Sequence, residues 1–203
     1  MTLLVGRRTF LLGLALSQIA ILSGPATSAE GAVGAVSDIK GKAFAELHKK
    51  RRSLSARSTL FLTDLVKTGK ESRLVARLAR KTILRLGAET VVRIDKFLVE
   101  VGGEIILGSG ALLLDTSGAS GKGIKIESPF ALIAVRGTRF FAGSLDGGFS
   151  VFVVRGTVDV AAGGKTVRLK AGEGTDIARP GGPPGPAKKW GAPKIAKAMA
   201  LVS

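Results

Sequence analysis

The stretch Ser128 to Ile177, SPFALIAVRGTRFFAGSLDGGFSVFVVRGTVDVAAGGKTVRLKAGEGTDI, most constrains the fold, because short apolar runs and turn residues alternate throughout it. Ala131–Val135, Arg139–Gly143, Phe149–Arg155, Thr157–Ala161 and Thr166–Lys170 read as five short strands. Ser144–Gly148 and Gly163-Gly164 supply the turn chemistry between them. Phe, Val and Thr fill the runs, and such residues suit a pleated, half-buried surface. Arg136-Gly137-Thr138 returns as Arg155-Gly156-Thr157 nineteen residues later, a repeat that predicts stacked, similar units.

The same texture extends upstream. Ala32–Ile39 alternates weakly up to Lys40-Gly41-Lys42, with Ala43–Ala45 as its expected partner strand. His48–Arg57 (HKKRRSLSAR) reads as a basic connection, either a solvated loop or an anion-docking patch. Glu71–Leu86 fits an amphipathic helix by the spacing of Leu74, Leu78 and Lys81, but Gly69 before it and Gly87 after it favour two strands joined at Ala79-Arg80-Lys81. Thr90–Ile94 and Phe97–Val101 flank Asp95-Lys96, Glu104–Leu107 and Ala111–Asp115 flank Gly108-Ser109-Gly110, and Ser117–Gly123 reads as a Gly/Ser loop. About a dozen short strands and no clear helix predict an all-β fold: sandwich, barrel or solenoid.

The order of motifs resembles the FecR domain, an extracytoplasmic module of Gram-negative bacteria. The resemblance rests on Ser128-Pro129-Phe130-Ala131, Val135-Arg136-Gly137-Thr138, Phe140, Arg155-Gly156-Thr157-Val158 and Leu169-Lys170-Ala171-Gly172-Glu173. Thr63-Asp64-Leu65-Val66-Lys67-Thr68-Gly69 matches a further family turn, with Thr63 where the family has Gly. Ser128 stands where Thr is usual, and Arg155 where an acid is common. The resemblance implies a β-solenoid-like stack of short strands, with a β-sandwich or jelly roll as the alternative. In the best-known family members the domain follows a cytoplasmic anti-sigma region and one membrane helix, and relays the state of an outer-membrane transporter to a sigma factor. Here only a targeting segment precedes the domain, so the expectation is a stand-alone exported scaffold.

Met1–Ala29 reads as that targeting segment. Arg7-Arg8-Thr9-Phe10-Leu11 resembles the twin-arginine export motif, the apolar run Phe10–Leu22 follows, and Thr27-Ser28-Ala29 offers cleavage at Ala29. The run is short of the roughly 20 apolar residues a membrane span needs. The expected location is periplasmic, with an uncleaved N-terminal anchor as the alternative. The domain is expected over residues 30–178, a Pro/Gly linker over 179–187, and a basic tail over 188–203. In the tail Trp190, Ile195, Ala198, Met199 and Val202 recur at roughly helical spacing. Four readings compete for it: packing back on the domain, lying on a membrane surface, docking a partner, or disorder.

The residue types narrow the chemistry. The chain has no Cys and one His, His48, so no metal site and no cofactor is expected. No nucleophile elbow, phosphate loop or zinc-protease motif is present, and Gly102-Gly103 and Gly121-Lys122-Gly123 read as turns, which points away from an enzyme. Net charge is +16, and +14 remains without Arg7 and Arg8. Such charge favours anionic partners. The expected partner is another envelope protein; anionic lipid or polysaccharide is the alternative, and nucleic acid is disfavoured because stacking aromatics are few. The candidate motif residues are Pro129, Val135, Arg136, Gly137, Thr138, Phe140, Gly156 and Gly172. Gly137 would supply a positive φ, Thr138 would cap the bend, and Arg136 would bond carbonyls, Asp115, Glu127 or a partner carboxylate.

Overall fold

The computed structural model describes residues 31–79, 81–98, 102–116 and 123–203. The targeting residues Arg7, Arg8, Phe10, Leu11 and Ala29 lie outside them, as do most of the Ser117–Gly123 loop and Arg80 of the expected hairpin turn. The first half of the chain forms β1 (Ala32–Lys40), β2 (Ala43–Leu47), β3 (Lys50–Ser53), β4 (Thr59–Phe61), β5 (Leu65–Thr68), β6 (Arg73–Leu78), β7 (Thr82–Leu86), β8 (Val91–Leu98) and β9 (Gly102–Ser109). The second half forms β10 (Ala111–Asp115), β11 (Ile124–Glu127), β12 (Leu132–Val135), β13 (Arg139–Leu145), β14 (Gly148–Arg155), β15 (Thr157–Ala162), β16 (Lys165–Lys170), β17 (Glu173–Ile177), β18 (Lys188–Lys189) and one helix, α1 (Ala192–Ala200).

These strands make two nine-stranded sheets, ordered β4-β1-β6-β7-β10-β13-β14-β17-β18 and β3-β2-β5-β8-β9-β11-β12-β15-β16. Beyond the first few strands both sheets grow in chain order, so each new unit is laid on the last. Period-two alternation makes this work. Leu74, Ala76 and Leu78 of β6, Leu84 and Leu86 of β7, Ile133 and Val135 of β12, and Val158 and Val160 of β15 all enter one apolar core shared by both sheets. Each of these Leu, Ile and Val side chains contributes on the order of 1.5–3 kcal/mol by leaving water. Among the described residues the pairings are antiparallel except for β9 with β11, so the stack is built from hairpins and corners. The all-β expectation holds as two sheets with one terminal helix. Among the described residues no closure into the expected solenoid is formed.

Turn chemistry explains how the chain stays in a sheet or leaves it. Two-residue hairpins at His48-Lys49, Asp146-Gly147 and Gly163-Gly164 have positive φ at both positions, the conformation whose twist matches flanking strands. Several expectations are corrected. β2 does not pair with β1: Gly41, at φ +77, turns the chain into the other sheet, where β2 pairs with β3 and β5. HKKRRSLSAR is not wholly a loop, because Lys50–Ser53 is the edge strand β3. β8 runs through Asp95-Lys96 with a register shift between Ile94 and Lys96, so the charged pair is absorbed as a bulge rather than a turn. Glu71–Leu86, by contrast, holds the two strands that Gly69 and Gly87 led one to expect. Glu173–Ile177 is an additional strand, hidden in the sequence because Glu173-Gly174-Thr175-Asp176 carries no apolar residue.

Candidate interaction surface

The Val135–Phe140 segment is a corner between sheets. Val135 ends β12 with its side chain in the core, Gly137 turns at φ +63, and Thr138 and Phe140 are fully buried. Thr138 does not cap the bend with its hydroxyl. Instead its backbone N–H donates to Thr116 Oγ1 at 2.9 Å, and its carbonyl accepts from the Thr116 N–H at 2.8 Å. The same device recurs along the stack. Thr90 N–H donates to Thr68 Oγ1 at 2.9 Å, and Ala111 N–H donates to Thr90 Oγ1 at 3.0 Å. Buried threonine hydroxyls therefore satisfy the backbone donors that a corner removes from the ladder. Thr138 Oγ1 is the exception, buried with no hydrogen-bond partner among the described residues. Thr116→Val should cost about 1–3 kcal/mol by orphaning the Thr138 N–H, whereas Thr138→Val should be neutral or slightly stabilising; urea unfolding of the two variants checks the contrast.

Corner glycines stack on these hydroxyl residues. A Cβ on Gly156 would sit 2.7 Å from Thr138 Cγ2, one on Gly110 2.3 Å from Thr90 Oγ1, and one on Gly41 2.4 Å from Ser72 Oγ. The repeated Arg-Gly-Thr triplets are thus consecutive corners, Thr138 of the first lying against Gly156 of the second. Gly172 turns the chain between β16 and β17 at φ +83, and its N–H donates to the Val153 carbonyl at 2.8 Å. Pro129 is exposed in the β11–β12 hairpin, where Ser128 Oγ accepts the Ala131 N–H at 3.0 Å. Arg136 is exposed and makes no hydrogen bond or ion pair among the described residues. Asp115, which the sequence offered to Arg136, instead meets Arg155 at 3.4 Å.

Asp64 is a buried group to which the sequence assigned no role. Its carboxylate is fully buried, takes Arg52 Nη1 at 2.8 Å and Nη2 at 2.5 Å, and accepts the Phe61 N–H at 2.7 Å. Arg52 Nη2 also donates to the Thr59 carbonyl at 3.0 Å, so edge strand β3 clamps edge strand β4 of the other sheet. The signal was present as a lone acid in the apolar run L-F-L-T-D-L-V. Beside it Thr63 holds φ +66 with an exposed side chain. A β-branched residue there is strained by about 1–2 kcal/mol. Thr63→Gly should therefore raise the unfolding midpoint, by about 1 kcal/mol net of glycine's entropy.

Charge concentrates at sheet edges and on one outer face. β3 carries Lys50, Arg51 and Arg52, β16 carries Lys165, Arg168 and Lys170, and β18 carries Lys188 and Lys189. Charged edges resist strand addition by another chain. Arg168 grips Asp159 of β15 at 2.7 and 2.9 Å. That side-chain hydrogen bond lowers the Asp159 pKa below its usual 3.8, against a smaller opposing effect of desolvation. A lowered carboxylate pKa stabilises the fold above its ordinary value, and that small contribution disappears as pH falls through the lowered one.

The basic tail is packed on the protein. Trp190 stacks on Phe152 with centroids 4.9 Å apart, and β18 pairs with β17. Helix α1 lays Ala198 and, beyond its end, Val202 on Ala111, Leu113, Phe141, Leu145 and Phe152, the outer face of the β4–β18 sheet. Lys194 reaches Asp176, which accepts Ser150 Oγ at 2.6 Å, and Lys197 reaches Asp146. Arg73 donates to the carbonyls of Ala200 and Ser203 at the helix end, both at 3.2 Å. Of the four readings of the tail, the packed one is formed. No helix among the described residues is long and apolar enough to cross a membrane, and they hold no cluster of three metal-ligating side chains.

Residues 64–159 match the FecR protein family. No curated protein matches the chain. Two crystal structures of a candidate anti-sigma factor from Parabacteroides distasonis, at 2.50 and 1.65 Å resolution, share the fold with TM-scores of 0.57 and 20% identity. The matched region covers 66% of this chain and 63% and 64% of those chains.

Proposed function

On the premise that residues 64–159 of this chain are a FecR domain, we propose that the protein is an exported, non-enzymatic module that works by binding a protein partner in a signalling relay of the cell envelope. One observation carries the reading. Within the matched region the buried hydroxyls of Thr68, Ser72, Thr90 and Thr116 are spent on backbone groups, the buried Asp64 carboxylate is spent on Arg52 and the Phe61 N–H, and Arg77, Arg136 and Arg155 present exposed guanidinium groups. An interior committed to corners and a surface rich in guanidinium groups suit recognition rather than turnover. We read the stepwise growth of both sheets as the trait shared by a solenoid and this hairpin stack, and it offers long, flat faces to a partner.

Photo-crosslinking of the full chain in cells tests the proposal. One defined protein adduct in the envelope fraction is the expected result; adducts to lipid or polysaccharide alone would sink it. The basic edge strands β3 and β16 favour the second reading, a structural protein that holds anionic lipid or polysaccharide. Export is supported by Arg7-Arg8 and the apolar run after them. The expected mature protein begins at Glu30, and replacing Arg7 and Arg8 together by Lys should leave precursor inside the cell. N-terminal sequencing of the fractionated protein reads both outcomes.

A further inference from the structure

The outer face of the sheet that carries α1 is only half covered. Helix α1 crosses the strands, from Trp190 beside Phe152 of β14 to the carbonyls held by Arg73 of β6. Alongside it a second row of outward residues crosses the same strands in direct register. Arg77 lies opposite Ile83, Ile83 opposite Asp115, Asp115 opposite Arg139, and Arg139 opposite Arg155. Arg85 stands on the same face of β7, and Arg136 on the corner that leads into Arg139.

This shelf combines four properties. Its charge is strongly positive, with Asp115 the acid within the row and Asp38 of β1 another, at its margin opposite Val75. Its cations are all arginine, the side chain that matches carboxylates in a bidentate, planar way. Arg139 Nε is buried without a hydrogen-bond partner, and Arg77 and Arg85 make no ion pair among the described residues. Apolar groups also remain: Val154 is 39% exposed, and Val75 and Ile83 are half-buried.

The geometry points to an acidic amphipathic helix of a partner protein as the occupant of this shelf, lying beside α1. Five strands at about 4.8 Å spacing give a row of about 19 Å, the length of a helix of about thirteen residues. Ala111 and Leu113, both under α1, lie about 13 and about 7 Å from Asp115 along β10, which brackets the usual 8–10 Å packing distance of a neighbouring helix. Carboxylates would meet the arginines, and an apolar stripe would meet Ile83 and Val154. The chain's own N-terminal segment is excluded as occupant by charge, since residues 1–29 carry Arg7 and Arg8 and no acid. The inference deepens the proposed partner binding and rests on it.

The test uses the full chain and a fluorescein-labelled peptide of about fourteen residues, Glu on one helical face and Leu on the other. Anisotropy at about 150 mM salt should show binding, and a peptide with Lys in place of Glu should not bind. Arg77→Gln with Arg155→Gln should weaken the acidic peptide by roughly tenfold or more, because both guanidinium groups are exposed and their loss leaves the core intact. Lys165→Gln with Lys170→Gln removes equal charge from edge strand β16 and should change affinity by less than about threefold. Equal loss in both double variants would overturn the proposal, as would binding to phosphatidylglycerol vesicles with none to the peptide. A cellular crosslink that survives the Arg77/Arg155 change would overturn the shelf alone; the absence of any protein crosslink would overturn the proposed function itself.

Discussion

Arg52→Ala should lower the unfolding free energy by about 3–5 kcal/mol, because it strands the fully buried Asp64 carboxylate without its counter-charge. Asp64→Ala should cost less, about 2–4 kcal/mol. The guanidinium it frees is already 32% exposed and rehydrates, although the Phe61 N–H loses its acceptor. Asp64→Asn keeps that acceptor and removes the charge, so it should fall below the Ala variant. The order Arg52→Ala, Asp64→Ala, Asp64→Asn in urea unfolding separates a clamp between edge strands from a surface ion pair. A surface pair would give less than about 1 kcal/mol for every member of the series.

Gly156→Ala should destabilise by about 2–5 kcal/mol, for two additive reasons. Gly156 holds φ +89, where a Cβ costs about 1–2 kcal/mol. That Cβ would also press on Thr138 Cγ2 at 2.7 Å and on the Gly137 carbonyl at 3.2 Å, a crowded contact worth about 1–3 kcal/mol. Gly137→Ala isolates the first term, because nothing lies within 4 Å of its would-be Cβ at φ +63; about 1 kcal/mol is expected. Combining Gly156→Ala with Thr138→Ser removes the methyl in the way and should recover about 1 kcal/mol. A purely additive double variant would contradict the stacked-corner account.

Alternation made the strands legible. β12 and β15 were readable from Ile133 and Val135 and from Val158 and Val160, because one face of each is buried, and β14 from the unbroken run Phe149–Val153, which is buried on both faces. Pairing was not legible. Nothing in Lys40-Gly41-Lys42 distinguishes a hairpin from a change of sheet, since both demand a positive φ; the difference lies in Ser72 waiting beneath Gly41. β17 escaped notice because Gly174, Thr175 and Asp176 carry no apolar signal; they gain their place from Thr175 bonded to the Gly185 carbonyl and from Trp190 over Gly174. The repeated Arg-Gly-Thr triplets mark two corners that cross between the sheets in opposite directions, β12 to β13 and β14 to β15, and the role of Thr138 was misplaced: its backbone, not its hydroxyl, meets Thr116. The arginine shelf was invisible because Arg77, Arg85, Arg139 and Arg155 belong to four strands that only register brings into line.

We propose that this chain, whose residues 64–159 match the FecR protein family, binds a protein through a built surface rather than anions through bulk charge. The most direct measurement is affinity capture from an envelope extract at low salt and at about 0.5 M salt, with mass spectrometry of what remains. The account predicts one protein retained at both, in lower yield at the higher, since apolar contacts persist when ionic ones are screened. Recovery of lipid or polysaccharide only, washed away at the higher salt, would contradict it and leave a basic envelope protein in its place.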